Sequence, residues 1–267
     1  NDVYVIGTFT DAGGIPEADY VAKWDGAKWS ALGGNGMENG AFPGYIYAIA
    51  ISENNVYVGG DFERINNYGN VIDYGAVAKW DGTNWSAVGK LRIGNFGLNG
   101  HVVRTLAISG TNVYAGGMFY DLYSNGEVIA DGTGLIKWDG THWSTIGGNP
   151  GANHINAMAV VGSTIYIGGD FINAGGIPEA DYIAKWNGTN WSALGSNGAG
   201  DGALNANVRA IAVSGSTLYV GGWFSNAGGV PEADVIAKWN GTKWTALGSN
   251  GAGDGAVYIP VITYAEF

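Results

Sequence analysis

The stretch from Ile165 to Trp191, IYIGGDFINAGGIPEADYIAKWNGTNW, recurs along the chain with small changes. Its shared form is YVGGxF, then a variable loop, then AKWDGxxW. Five copies are present, and their leading tryptophans are Trp24, Trp80, Trp138, Trp186 and Trp239, spaced by 56, 58, 48 and 53 residues. A repeat of this length, made of several strand-like runs, is the signature of propeller blades.

Residues 206–248 show one unit in full. Val208 to Val213 is a strand-like run that ends at Ser214-Gly215-Ser216-Thr217. Leu218 to Gly222 follows, then a loop from Ser225 to Asp234, then Val235 to Trp239, and after Asn240-Gly241-Thr242-Lys243 the run Trp244 to Leu247. These four runs, A to D, are rich in β-branched and aromatic residues and are separated by turn chemistry. No segment of ten or more residues has helical periodicity, so almost no helix is expected.

Asx-Gly stands between C and D in every copy: Asp25-Gly26, Asp81-Gly82, Asp139-Gly140, Asn187-Gly188 and Asn240-Gly241. This dipeptide tolerates the positive φ of tight hairpin turns. The two tryptophans of each copy then face each other across the hairpin, an arrangement that stabilises a sheet. Ten of the eleven tryptophans hold these repeated places, so packing is their expected role, with sugar stacking the alternative. The glycine pairs 59–60, 116–117, 168–169 and 221–222 are expected to make room for a bulky neighbour from the next blade. The first copy has Ile6-Gly7 instead.

The chain opens inside a unit, at strand B, with no visible signal peptide, as expected of a mature or excised domain. Four complete sets follow, and Val257 to Tyr264 falls where a final strand A belongs. The expected fold is therefore all-β: one five-bladed β-propeller of four antiparallel strands per blade, spanning 1–267. Its C-terminal strand A joins the N-terminal B-C-D blade. The blades are 1–33 with 257–267, 45–89, 101–147, 153–195 and 206–248. Such closure removes the open edges of a repeat array.

The blade text LYVGGxFxxAGGxxxxxxIAKWDGxxWxALG resembles secreted bacterial propeller repeats of the delta-60 and cortical-marker type, over almost the whole chain. It is also similar, more distantly, to kelch-type propellers, which likewise place a glycine doublet before a tryptophan. Blade number and tryptophan richness alone resemble five-bladed lectins such as tachylectin-2. These resemblances imply the fold. They carry over no catalytic or binding residue.

Charge narrows the partners. The formal net charge is −11, with 12 Lys and Arg against 23 Asp and Glu. No basic patch for nucleic acid is present, and anionic membrane surfaces are disfavoured. The chain has no cysteine, so disulfides and thiolate metal sites are excluded. No apolar run reaches the length of a membrane helix. Charged residues make up only 13% of the chain. With many Asn, Gly, Ser and Thr, this composition points to a secreted or cell-surface location, either alone or within a larger surface protein.

The D–A and B–C loops share one face of such a fold and are long. The opposite face carries tight turns. Binding groups are expected on the long loops. Near the start of strand A, on the axis, equivalent places hold Tyr47, Arg104, Asn156, Arg209 and Pro260. The arginines offer planar donors to an anionic or hydroxyl-rich ligand, or pair with loop carboxylates. The residue after the glycine doublet also varies: Thr8, Asp61, Met118, Asp170 and Trp223. Trp223 is the tryptophan outside the repeated pairs, placed to stack on a sugar or partner, or to fill space.

Three B–C loops repeat Glu17/Asp19, Glu179/Asp181 and Glu232/Asp234. Calcium takes such oxygen ligands, but solvated turns are the simpler expectation. The identical D–A loops 196–202 and 249–255 make Asp201 and Asp254 weak Ca²⁺ candidates, and no other cofactor is expected. The lysines Lys23, Lys79, Lys137, Lys185 and Lys238 hold one place per blade and read as structural. The sequons at Asn84, Asn187, Asn190 and Asn240 read as by-products of the repeated turn.

A glycoside hydrolase needs two carboxylates in different environments, and here most acids repeat between blades. His101, His142 and His154 lack metal-ligand spacing, and no G-x-S-x-G is present. The reading favoured is a non-enzymatic module for protein interaction or assembly through its loop face. A carbohydrate-binding lectin comes next and a hydrolase last.

Overall fold

The computed structural model describes residues 2–73, 76–93, 102–119, 122–124, 126–130, 133–148, 150–152 and 154–257. The expected closing strand, with Pro260, and His101 lie outside the described residues. The chain forms two compact units, Asn1–Ile155 and Asn156–Phe267. Among the described residues there is no α-helix, only short 3-10 turns, and so no helix able to cross a membrane.

The first unit holds three repeated sheets. The first contains β1 (Val3–Ile6), β2 (Val21–Trp24) and β3 (Trp29–Ala31), hydrogen-bonded in that order. The second begins with β4 (Ile46–Ser52) and β5 (Asn55–Gly60). A separate hairpin, β6 (Arg64–Asn67) and β7 (Asn70–Asp73), intervenes before β8 (Val77–Trp80) and β9 (Trp85–Ala87) complete the order β4-β5-β8-β9. After β10 (Leu91–Ile93) comes the third sheet, with β11 (Val102–Ser109) and β12 (Asn112–Met118). Its B–C connection contains β13 (Leu122–Ser124) and β14 (Glu127–Ala130), which pair with β10 in a small sheet. Then β15 (Leu135–Trp138) and β16 (Trp143–Thr145) close the order β11-β12-β15-β16.

The second unit repeats the pattern twice. Its sheets are β17 (Ile155–Val161), β18 (Thr164–Gly169), β19 (Ile183–Trp186), β20 (Trp191–Ser192), and β21 (Val208–Ser214), β22 (Thr217–Gly222), β23 (Ile236–Trp239), β24 (Trp244–Ala246). The strand pairings among the described residues are antiparallel, with Trp24 opposite Trp29 and Trp239 opposite Trp244. The indole centroids lie 5.3 to 5.7 Å apart in all five pairs.

In three copies the second tryptophan ties one sheet to the next. Trp143 is 4% exposed, and its Nε1 donates to the Val88 carbonyl at 2.8 Å. Trp244 Nε1 donates to the Leu194 carbonyl at 2.6 Å, and Trp85 Nε1 to that of Leu32. A buried indole N–H needs such a partner. In each case the acceptor belongs to the end of the preceding sheet, where a glycine follows it. A Cβ on Gly33 would lie 2.9 Å from Trp85 Cδ1. Packing is thus the work of the repeated indoles.

The glycine doublet has two separate reasons. A Cβ on Gly59 would strike Val103 of the next sheet, and one on Gly168 would strike Val208. This is the expected bulky neighbour. The second glycine answers a different demand: a Cβ on Gly60 would strike the Tyr45 carbonyl, and one on Gly222 that of Asn207. Those carbonyls belong to the segment entering strand A.

The repeated lysine faces the repeated tyrosine across strands B and C, as Tyr57 faces Lys79. Lys23, Lys79 and Lys185 lie 5.8 to 5.9 Å from the ring centres of Tyr4, Tyr57 and Tyr166. That cation–π contact gives the lysines a structural role.

In the C–D turn the Asx side chain caps the backbone. Asp139 Oδ1 accepts from Thr141 N and His142 N, each at 2.8 Å, and Asn240 Oδ1 accepts from Thr242 N and Lys243 N, each at 3.0 Å. The following glycine takes φ near +100°. Hydrogen bonds to the charged form hold the Asp139 carboxyl down from 3.8 to about 2, and lower Asp25 and Asp81 likewise. Their ionised forms bind fewer protons in the folded state. Their contribution is complete above pH 4 and is lost as pH falls toward 2. Acid unfolding followed by circular dichroism is expected to show this loss, and Asp139→Asn, which keeps the acceptor, is expected to shrink it.

The aspartates of the three repeated B–C pairs depart from expectation. They are clamps within the fold and not solvated turns. Asp19 is 7% exposed and accepts from Asp11 N at 2.9 Å and from Gly40 N, in the following D–A loop, at 3.0 Å. Asp234 accepts from Asn226 N at 2.6 Å and Gly255 N at 3.4 Å, and Asp181 from Asn173 N at 2.7 Å. Gly40 and Gly202 lie against the acid: a Cβ on them would sit 2.8 and 2.9 Å from Asp19 Cβ and Asp181 Cβ. Asp19→Asn presents an amide N–H₂ to a backbone donor and is expected to cost about 1–2 kcal/mol in urea unfolding.

Candidate functional site

The variable places at the start of strand A coincide with β-bulges. Between β4 and β5 the register passes from Ile46↔Gly60 to Ala48↔Gly59, leaving Tyr47 as the extra residue. Arg104 is skipped between Val103↔Gly117 and Thr105↔Gly116, and Arg209 between Val208↔Gly222 and Ala210↔Gly221. A bulge frees its extra residue from the ladder and re-aims the side chain. The glycine doublet opposite admits the carbonyls that this geometry pushes inward. Asn156 holds the same place in β17, and its Nδ2 donates to the Val208 carbonyl at 3.1 Å.

In the first unit the bulge residues meet the residue after the doublet. Tyr47 is 45% exposed. Partial burial pushes its phenol above the ordinary range, the nearby Asp61 carboxylate adds to this, and the Arg104 guanidinium opposes it. Tyr45, also 45% exposed, sets its ring 6.3 Å from that of Tyr47 and edge-on to Tyr20 at 5.8 Å. Beside them, Pro43, Gly44, Asp61, Glu63 and Arg64 line a hollow of about 350 Å³. The β6–β7 hairpin supplies Arg64 to its wall.

In the second unit the Arg209 guanidinium stacks on Trp223 at 4.7 Å from the ring centre. Trp223 is 61% exposed. Asn205 holds Ser225 beside it, its Oδ1 accepting from Ser225 N at 2.9 Å and its Nδ2 donating to Ser225 Oγ at 3.0 Å. Asp170 follows β18 and is exposed. Among the described residues neither Arg104 nor Arg209 forms an ion pair.

Asp201 and Asp254 are exposed in the two D–A loops. Asp254 Oδ2 accepts from Asn250 Nδ2 at 3.2 Å, and the Asp201 carbonyl accepts from Ser196 Oγ at 3.0 Å. Among the described residues no three His, Asp or Glu side chains gather as a metal site would require.

Of the residues singled out from the sequence, the fold sets Tyr47 near Asp61 and Arg104, and Arg209 against Trp223. The sequence reading missed Tyr45 and the hollow beside Asp61. Exposed tyrosines flanking a repeated strand start were the available signal.

No family model matches the chain, and no curated protein does. Solved structures similar to it include the computationally designed Ika4 protein, 14% identical, with a TM-score of 0.35 over 74% of this chain and 91% of that one. A glycoside hydrolase of family GH74 from Niastella koreensis is 20% identical, with a TM-score of 0.44 over 91% of this chain. The extracellular domain assigned to a one component system of B. thetaiotaomicron is 12% identical, with a TM-score of 0.45 over 84% of this chain. The chain spans 35% and 24% of the latter two.

Proposed function

We propose that the chain is a non-enzymatic extracellular binding module, a closed five-bladed propeller that engages a protein partner through the face bearing its D–A and B–C loops. The observation that carries this reading is the bulge. In three of the repeats the strand releases a side chain from the ladder at the same point, and that side chain is Tyr47, Arg104 or Arg209, with Asn156 at the equivalent place in a fourth. Aromatic and arginine side chains left exposed on a rigid frame are the residues that anchor interfaces.

Closure is supported by the first sheet, which has three strands among the described residues and β1 at its edge.

The test is retention of proteins from the extracellular fraction of the source on immobilised chain, followed by direct titration of any retained protein. The variant Tyr47→Ala/Arg209→Ala/Trp223→Ala is expected to lose at least tenfold in affinity at unchanged melting temperature. Equal binding by this variant contradicts the reading. The exposed Trp223 ring, with amides beside it, favours glycan binding as the second reading. Hits on a glycan array that vanish with Trp223→Ala support that alternative.

A further inference from the structure

On the opposite face, between the second and third sheets of the first unit, a groove of about 400 Å³ opens among the A–B and C–D turns. The half-buried rings of Trp138 and Tyr57 lie in its wall. The Tyr57 ring is occupied by the Lys79 ammonium, 5.9 Å from its centre. The Trp138 indole packs against its partner Trp143 at 5.7 Å and stays partly open to the groove. Neutral polar side chains complete the lining: Ser52, Asn55, Ser86 and Thr111. Gly110 and Gly140 border it, and a Cβ on either would meet no described atom within 4 Å.

The charges in this groove cancel. Lys79 and Glu53 are its two charged residues, in a chain whose formal net charge is −11. Neither an anion nor a cation finds an excess of opposite charge there. Hydroxyl and amide groups supply donors and acceptors in mixed order, and the indole supplies an apolar surface. A ligand pocket is commonly built this way, from an aromatic wall with a few polar groups that fix orientation. The lining suits a compact ring carrying several hydroxyls and no charge, and the volume admits one.

We propose that this groove binds a neutral, hydroxyl-rich ring of the size of one pyranose unit. The site lies on the turn face, shares no residue with the loop-face site, and does not depend on the protein-binding role above. The hydroxyls of such a ring replace water on Ser86, Thr111 and Asn55, while its less polar face covers Trp138.

The experiment is saturation-transfer NMR followed by calorimetric titration of the full chain. The probes are the methyl glycosides of glucose, galactose, mannose and N-acetylglucosamine, with myo-inositol, and glucuronate as the charged control. At least one neutral probe is expected to bind with a dissociation constant in the millimolar range, and at least tenfold more tightly than glucuronate. Ser86→Tyr, which fills the groove from an exposed strand position, is expected to weaken binding at least tenfold. Thr111→Tyr does the same from the A–B turn, should the first variant fold poorly. Trp223→Ala is expected to leave binding unchanged. The proposal is overturned if no neutral probe binds at 20 mM (roughly twenty times a millimolar constant), if glucuronate binds equally well, or if the filled variants bind as the parent does. It is also overturned if Trp223→Ala abolishes binding, which would move the sugar to the loop face.

Discussion

Trp143→Ala is expected to lower the unfolding free energy by about 3–5 kcal/mol, the range for deleting a large buried aromatic. The side chain is 4% exposed, stacks with Trp138 and donates to Val88 in the neighbouring sheet. Its loss opens a cavity in the core shared with Val88, Leu91 and Leu122, and leaves the Val88 carbonyl without that donor. Trp143→Phe separates the two effects. It retains an aromatic ring and is expected to cost about 1–3 kcal/mol, from the lost hydrogen bond and smaller volume. Urea unfolding measures both. A cost below about 1 kcal/mol for the alanine variant contradicts the role of these indoles as ties between sheets.

Gly59→Ala is expected to cost about 2–3 kcal/mol, toward the upper end for overpacking a filled core. The added methyl would run into Val103, and Leu106 Cδ1 stands 3.4 Å away. Gly59 lies in a β-strand, so a loss of this size reports crowding between sheets and not backbone strain. Gly221 makes the comparison informative. Its described surroundings leave space for a methyl, with Ala210 Cβ at 3.7 Å. If 257–264 completes the ring, Ile259 fills that space and Gly221→Ala costs as much as Gly59→Ala. If the ring is open, Gly221→Ala is expected to fall within about 0.5 kcal/mol of the parent, as exposed substitutions do.

The elements legible in the sequence were those fixed by local chemistry. Alternating β-branched runs gave the strands, and Asx-Gly gave the C–D turns with the tryptophans opposed across them. Local chemistry also marked one strand pair that the reading passed over. Asn125-Gly126 stands between Leu122-Tyr123 and Val128-Ile129, a hairpin signal of the usual kind. It was hidden because the B–C loop of the first, fourth and fifth copies is irregular, with AGG forming a 3-10 turn.

The bulges were not legible. A bulge exists only against a partner strand, and nothing within Ile46-Tyr47-Ala48 says which residue the partner skips. The variation of that residue among copies fell on the residues that the ladder skips, Tyr47, Arg104 and Arg209, without giving the cause. Asp19 was misread for a similar reason. Its second partner, Gly40, is 21 residues away in a loop of different sequence from the copies at 196–202 and 249–255.

Ring closure is tested most directly by an engineered disulfide, which the absence of native cysteine makes unambiguous. The repeat alignment sets Tyr264 opposite Val3, as Ile51 is opposite Val56 in the second sheet. Directly opposed strand residues have Cα atoms about 4.5–5.5 Å apart, within disulfide range. Val3→Cys/Tyr264→Cys is therefore predicted to form an intrachain disulfide in the monomer on mild oxidation, seen by mass spectrometry as the loss of two hydrogens and as a raised melting temperature. Free thiols that stay unreacted, or disulfides formed only between chains, would contradict the five-bladed ring.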